Sequence, residues 1–193
     1  MLKHYLNLLD ELHLLNSDAE AKAIDGDSFI TNNINFFTKA FTITICAYLE
    51  TFIKDLSFQF INHCNEKLST ISIAHNIVKW SVTRKESLIE LKESDLKFEN
   101  LRINITREDL DDFVSGNPFR TEKLFMKFGI KLSNNQDYVQ IREKIMSIVN
   151  KRNLIIHHND MASDLSFSDI RNNIQIIKNY LKILNLSVNS AYT

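Results

Sequence analysis

Glycine and proline are almost missing from this chain: three Gly and one Pro in 193 residues. Tight turns need a positive or a fixed φ, so turn-rich sandwiches and barrels are excluded on this count. Long helices need neither residue, and an all-α fold is expected. Cysteine is scarce as well, with only Cys46 and Cys64. Both fall in one expected helix, where 18 residues of separation correspond to about 27 Å. A disulfide requires Cα atoms within about 7 Å, so the two are not bridged within that helix. Nothing else suggests an oxidising compartment. Lys3 is followed by Asp10 and Glu11 without the apolar run of a signal peptide. The longest strongly apolar stretch free of charge, Ala40 to Leu49, is ten residues, half of what a membrane span needs. A cytoplasmic protein with no membrane partner is expected.

An excess of one charge is also missing. Lys and Arg number 23 against 24 Asp and Glu, for a net charge of −1. Non-specific nucleic-acid affinity grows with the phosphates neutralised, so a general polyanion binder is disfavoured. Any nucleic-acid function must rest on a local basic patch or a chemical site. What is present is ordinary for a globular protein: 44% hydrophobic and 24% charged residues. At this length roughly 70% of the unfolded chain's surface can be buried, so a single domain over 1–193 needs neither metal nor disulfide to hold it.

Leu2, Leu6, Leu9 and Leu12 recur at helical spacing, which predicts an amphipathic helix ending near Asn16-Ser17. A loop around Asp25-Gly26-Asp27 follows. Ser28 to Lys67 is a long helical pattern whose middle, from Phe36 to Phe60, is apolar nearly all round, the mark of a central helix. A further helix is predicted over Ser72–Glu93, with Ile73, Ile77, Trp80 and Leu88 as core positions. Leu101–Ile105 alternates and reads as a short strand or an extended segment. Thr106-Arg107-Glu108-Asp109 resembles a helix start, and Gly116-Asn117-Pro118 is the strongest breaker. Phe119–Phe128 is a short helix with Gly129 in a C′ position. Ser133-Asn134-Asn135-Gln136 fits a capping box. The helix it opens carries Tyr138, Ile141, Ile145, Ile148 and Val149 into the segment Arg152–His158. Ser166-Phe167-Ser168-Asp169 opens a last helix, in which Ile170, Ile174, Ile177, Leu181 and Leu184 form a 4-3-4-3 seam. That seam suits a core, or else a dimer contact. The result is a four-helix bundle with an irregular insert at about 95–132.

Chemistry concentrates at one helix end, in Lys151-Arg152-Asn153 and His157-His158. Arginine offers a permanent charge and a planar fork matched to phosphate oxygens. Histidine titrates near neutrality and suits proton transfer. Asn153 and His157 are i,i+4 neighbours, so the amide could orient the imidazole. Arg152 and His157 fall about 140° apart around a straight helix. Either the helix distorts there or a second chain completes the site. Glu50 is the only charge between Phe41 and Ile53; a buried carboxylate needs a partner, and Arg152 or His157 would serve.

Arg152-Asn153-Leu154-Ile155-Ile156-His157 matches the R-x4-6-H motif of HEPN domains. Ile45 to Leu56, with Ala47-Tyr48-Leu49-Glu50, is similar to the central helix of the RiboL-PSP-like HEPN group. The resemblance implies an all-α HEPN-like bundle and a metal-independent endoribonuclease acting as a homodimer, without cofactor, often in toxin–antitoxin or phage-defence systems. It further implies that His157 assists attack by a ribose 2′-hydroxyl while Arg152 stabilises the phosphorane, leaving a 2′,3′-cyclic phosphate. RNA is then the substrate and an antitoxin protein a partner. Asn153 matches the frequent polar residue after Arg. His158 stands where many members have a small residue, and Asn159-Asp160 replaces the x-Tyr of the R-x4-H-x-Y version.

Other features have plainer readings. Arg120, Lys123, Lys127 and Lys131 form a loose basic series that could track an RNA backbone, with Lys151 as a further weak contact, although a solvated helix face is the simpler reading. Lys54 and Asp55 read as solvated. Metal binding by His157, His158 and Asp160, or by His63 and Cys64, is disfavoured because adjacent helical residues point about 100° apart. Two alternatives to the nuclease stand: a non-catalytic HEPN-like module binding RNA, a nucleotide or a protein, and a structural adaptor whose last helix is the interface.

Overall fold

The computed structural model describes residues 1–74, 77, 97–98 and 102–192. Among these, the helices are α1 (Leu2–Ile24), α2 (Ser28–Asn32), α3 (Ile34–Leu68), α4 (Pro118–Lys127), α5 (Gln136–His158) and α6 (Phe167–Ser190). A short 3-10 turn spans Leu132–Asn134. Strands β1 (Ile73–Ala74) and β2 (Lys97–Phe98) pair antiparallel, Ile73 opposite Phe98. The chain divides into two compact units: Met1–Ser57 with Arg107–Thr193, and Phe58–Thr106. The expected all-α architecture is therefore present, with two strand fragments of two residues each beside it.

In the first unit α1, α3, α5 and α6 supply the core. The seam of α6 faces inward along its whole length: Ile170, Ile174, Ile177, Leu181 and Leu184 are all fully buried. It is core, not an open contact face. On α1 the matching stripe is Tyr5, Leu9, Leu12, Asn16 and Ala19. The helix was expected to stop near Asn16-Ser17 but continues to Ile24, because neither polar side chain caps an end there: Asn16 turns to α6 and Ser17 bonds back along its own helix. The Asn16 amide donates to the Phe167 carbonyl at 2.9 Å, and the Ser17 hydroxyl donates back to His13. Arg171 of α6 reaches Glu20 of α1 at 2.6 Å, and Lys178 pairs with Asp10.

The long helix expected from Ser28 is broken at Asn33. Its side-chain amide donates to the Phe29 carbonyl, a local bond that competes with the helical ladder. Asp27 caps α2 by accepting from the amides of Phe29 and Ile30. Beyond the break, α3 is apolar on most sides, and Ile45, Cys46, Leu49, Phe52, Ile53 and Leu56 are buried. By length and composition α3 would also suit a membrane span, and 44% of its apolar window is buried within the protein.

The segment before the breaker is not the helix expected from Thr106-Arg107-Glu108-Asp109 but a run of turns over 107–113. Its amide bonds include Asp111 to Glu108 and Phe113 to Leu110. Asn117 caps α4 with Pro118 in the first turn, and Gly129 beyond it has φ +77, as its C′ position requires. The cap of α5 is Asn135, not Ser133: its side chain accepts from Asp137 and Tyr138. Ser133 is drawn instead into the 3-10 turn. For α6 the Ser166–Asp169 capping box is present in both directions. Tyr138 and Tyr180 stack at 5.8 Å, and the Tyr138 hydroxyl donates to the Pro118 carbonyl at 2.6 Å, tying α4 to the bundle.

In the second unit, Asn65 holds the Ile103 backbone through both halves of its amide, at 3.2 and 2.6 Å. Residues 102–105 form no strand. Of the helix expected over Ser72–Glu93, Ile73 lies in β1 and Ile77 is exposed, while Trp80 and Leu88 fall outside the described residues.

Candidate active site

Three of the candidate residues, Glu50, Arg152 and Asn153, meet where α3 and α5 pack. Glu50 is carried into the fold by the buried stripe Cys46, Leu49 and Ile53, and Arg152 by Ile148, Val149 and Ile155. The Arg152 guanidinium is ion-paired to Glu50 through Nη2 and Oε1. Its Nη1 donates to the Asn153 side-chain oxygen at 3.1 Å. Glu50 Oε1 also accepts the Gly116 amide at 3.1 Å. Glu50 is thus a fixed acceptor with two donors, and Arg152 is held at a mostly buried position. Gly116 is suited to this approach: a Cβ there would meet Val149 at 3.1 Å and Glu50 at 3.4 Å. The Cys46 thiol lies beside the pair. Burial pushes its pKa up to about 11, and the Arg152 charge works against that rise.

Among the described residues His157 and His158 make no hydrogen bond or ion pair, and both are exposed. Asn153 spends its oxygen on Arg152 and not on His157. α5 stays helical through His158, so the distortion that could have brought Arg152 and His157 to one point does not occur. The helix ends at Asn159, whose φ of 49 places it in the left-handed region. Asp160 then organises the turn by accepting the Ala162 amide at 2.6 Å.

Lys151, expected to contact RNA, is engaged by that same turn. It pairs with Asp160 at 2.9 Å and Asp164 at 2.5 Å. Burial opposes its charge, but these bonds outweigh burial and raise its pKa. Lys123 and Lys127 stand apart on α4, lining a cavity with Arg120, Asp112, Phe113 and Leu124. No group of three or more His, Cys, Asp or Glu side chains converges among the described residues.

Sequence reasoning missed the wall beside Glu50. Lys54 pairs with Asp111, and Asp55 accepts from Tyr5 at 2.5 Å and from Arg107 at 2.7 Å. Neither residue is simply solvated. With Glu50, Thr51 and Val114, Lys54, Arg107 and Asp111 line a polar cavity of about 450 Å³. The i,i+4 spacing of Glu50 and Lys54 was the available signal; their partners come from the turn at 107–113.

Neither the curated proteins nor the solved structures contain a match to this chain. A family model described as RiboL-PSP-HEPN matches residues 3–190, nearly the whole chain and every element of the site. The chain belongs to the RiboL-PSP-like HEPN family.

Proposed function

We propose that the protein is a metal-independent endoribonuclease acting as a homodimer. Family membership supports an RNA-related role. The observation that carries the finer reading is the fixed Glu50–Arg152 pair on a helix that also carries an uncommitted, exposed His157. Glu50 and Asn153 take two of the five guanidinium donors, which leaves others for phosphate oxygens. In the reaction His157 accepts the ribose 2′-hydroxyl proton, the 2′-oxygen bonds to phosphorus, and the P–O5′ bond breaks. The departing 5′-oxygen takes a proton from the His157 of the second copy, and a 2′,3′-cyclic phosphate remains. Arg152 stabilises the charge on the phosphorane, a contribution of about 3–4 kcal/mol for a well-placed donor.

The helix geometry favours a site completed by two copies. Arg152 and His157 lie about 7.5 Å apart along α5 and about 140° around it, so one chain does not aim both at one phosphate. A strip on α3 fits such a contact: Phe36 is 66% exposed and Ile43 38%, with Ala40 and Ala47 completing a 4-3-4 spacing. The cytoplasmic location, the toxin or phage-defence setting and an antitoxin protein as partner belong to the same proposal. No cofactor or membrane enters it.

The test is incubation of wild type and His157→Ala with mixed RNA in excess EDTA, with product ends mapped. Cleavage by wild type alone, leaving cyclic phosphates, is expected. A His157→Ala variant that cuts as well as wild type would sink the assignment. A second reading, a non-catalytic module binding RNA, a nucleotide or a protein, draws on the same pairing, since a guanidinium already balanced by Glu50 also suits binding. It predicts RNA retention by wild type without turnover, weakened by Arg152→Ala.

A further inference from the structure

The run of turns at 107–113 separates two cavities of opposite character. Asp111 and Val114 face the polar cavity that contains Glu50. Asp112 and Phe113 face the other, about 210 Å³, whose far wall is α4 with Arg120, Lys123, Leu124 and Lys127. Three cations meet one carboxylate there. Arg120 and Lys123 make no ion pair among the described residues, whereas Lys54, Lys151 and Arg171 are each committed to carboxylates. Phe113 is 46% exposed, and the Lys127 ammonium sits over its ring at 5.1 Å from the centroid. An exposed aromatic ring among unneutralised cations is a poor choice for a solvated surface and a good one for a base with its phosphates.

We propose that this cradle is a second, non-catalytic subsite for single-stranded RNA, resting on the nuclease reading above. A base stacks on the face of Phe113 that Lys127 does not cover, while Arg120 and Lys123 hold the adjoining phosphates. Its position suits a strand leaving the chemical site. Phe113 is three residues from Gly116, whose amide rests on Glu50, and three residues span at most about 11 Å. A duplex is disfavoured because the stacking face admits only an unpaired base. The sequence-independent character of stacking and phosphate contacts means that the subsite contributes affinity and not base choice. This local patch also answers the charge balance of −1, since binding needs cations at one place and not over the whole surface.

The test is fluorescence anisotropy with a labelled single-stranded RNA oligonucleotide and its duplex, in a His157→Ala background so that no cleavage intervenes. Phe113→Ala is expected to weaken single-strand binding on the order of tenfold. Arg120→Ala with Lys123→Ala is expected to weaken it further and to flatten the salt dependence by about two counterions. Circular dichroism melts verify folding, and Phe113→Leu, which keeps bulk without the stacking face, must bind like Phe113→Ala. In the His157-intact protein the same changes raise KM with little effect on kcat. Unchanged affinity and salt slope in folded variants would overturn the subsite, and would leave the nuclease standing if wild type still cuts. Cradle-dependent binding by a wild type that never cuts would uphold the subsite and remove the nuclease. Binding of an acidic peptide but not RNA at these residues would assign the surface to a protein partner and refute the proposal.

Discussion

Replacing Glu50 with Ala should cost the fold about 2–3 kcal/mol, a figure that follows from where the pair sits. Breaking a fully buried ion pair by removing one partner costs about 3–5 kcal/mol, and an exposed pair is worth about 0–1. Here the Arg152 side chain is 17% exposed and that of Glu50 35%, so solvent screens part of the interaction and about 2 kcal/mol remains. The Gly116 amide loses its acceptor too, adding roughly 1 kcal/mol. For a chain of this size each kcal/mol moves Tm by about 2–4 °C, so the expected drop is about 5–10 °C. Glu50→Gln keeps an oxygen for Gly116 but surrenders the charge, and should lose about half as much. Far-ultraviolet circular dichroism melts of both variants measure this. A double-mutant cycle with Arg152→Ala should give a coupling of roughly 1–2 kcal/mol. If Glu50→Ala melts with the wild type, or if the two substitutions simply add, the pair does not hold α3 to α5 and the reasoning fails.

Two further outcomes test the surroundings of the site. Cys46 is fully buried and its thiol is pushed up to about 11 by burial, so in the native protein near pH 8 iodoacetamide should label Cys64 alone, and both only in urea; native labelling of Cys46 would contradict the packing around Arg152. The Asp160 carboxyl is held below its ordinary value by the bond from Lys151 and then by the Ala162 amide. Its contribution is therefore complete above the ordinary carboxylate range and is lost as pH falls through the lowered folded value. Urea midpoints for wild type and Asp160→Asn should accordingly converge in acid and separate toward neutral pH, and parallel curves would remove Asp160 as the organiser of the turn.

What the sequence made legible was local and periodic. The α6 seam is written in five apolar residues at fixed spacing, and the Ser166 box in four adjacent ones, so no distant partner is needed to see either. Where local signals competed, tertiary contacts decided. Asn16 looks like a helix stop until Phe167, 151 residues away, accepts its amide. Thr106-Arg107-Glu108-Asp109 looks like a helix start, yet Arg107 is pulled to Asp55 and Asp111 to Lys54, and the segment turns. The pairing of Glu50 with Arg152 was readable because a lone charge in an apolar helix demands a partner, and few were available. Gly116 was visible only as a breaker, since its approach to Glu50 depends on 66 residues of intervening chain.

The same contrast bears on which residues are free to act. Among the described residues near Glu50, each of these cations has a carboxylate: Lys54 has Asp111, Lys151 has Asp160 and Asp164, Arg107 has Asp55, and Arg152 has Glu50. The carboxylate that Arg152 meets is shared with a backbone amide, as is the Asp160 carboxylate of Lys151, but Lys151 has Asp164 as a second partner and Arg152 has no second carboxylate among the described residues. Sharing disperses the negative charge of Glu50, so its hold on the guanidinium is weaker than that of an undivided partner, and its chief effect is on orientation. A phosphate arriving at the remaining donors would then compete with a fixed, partly satisfied carboxylate and find the fork already aimed. On the proposed nuclease reading, Glu50 and Gly116 are positioning groups for Arg152, and the chemistry is left to Arg152 and His157. That division requires Glu50→Gln, which keeps an oxygen for Gly116, to retain more activity than Glu50→Ala.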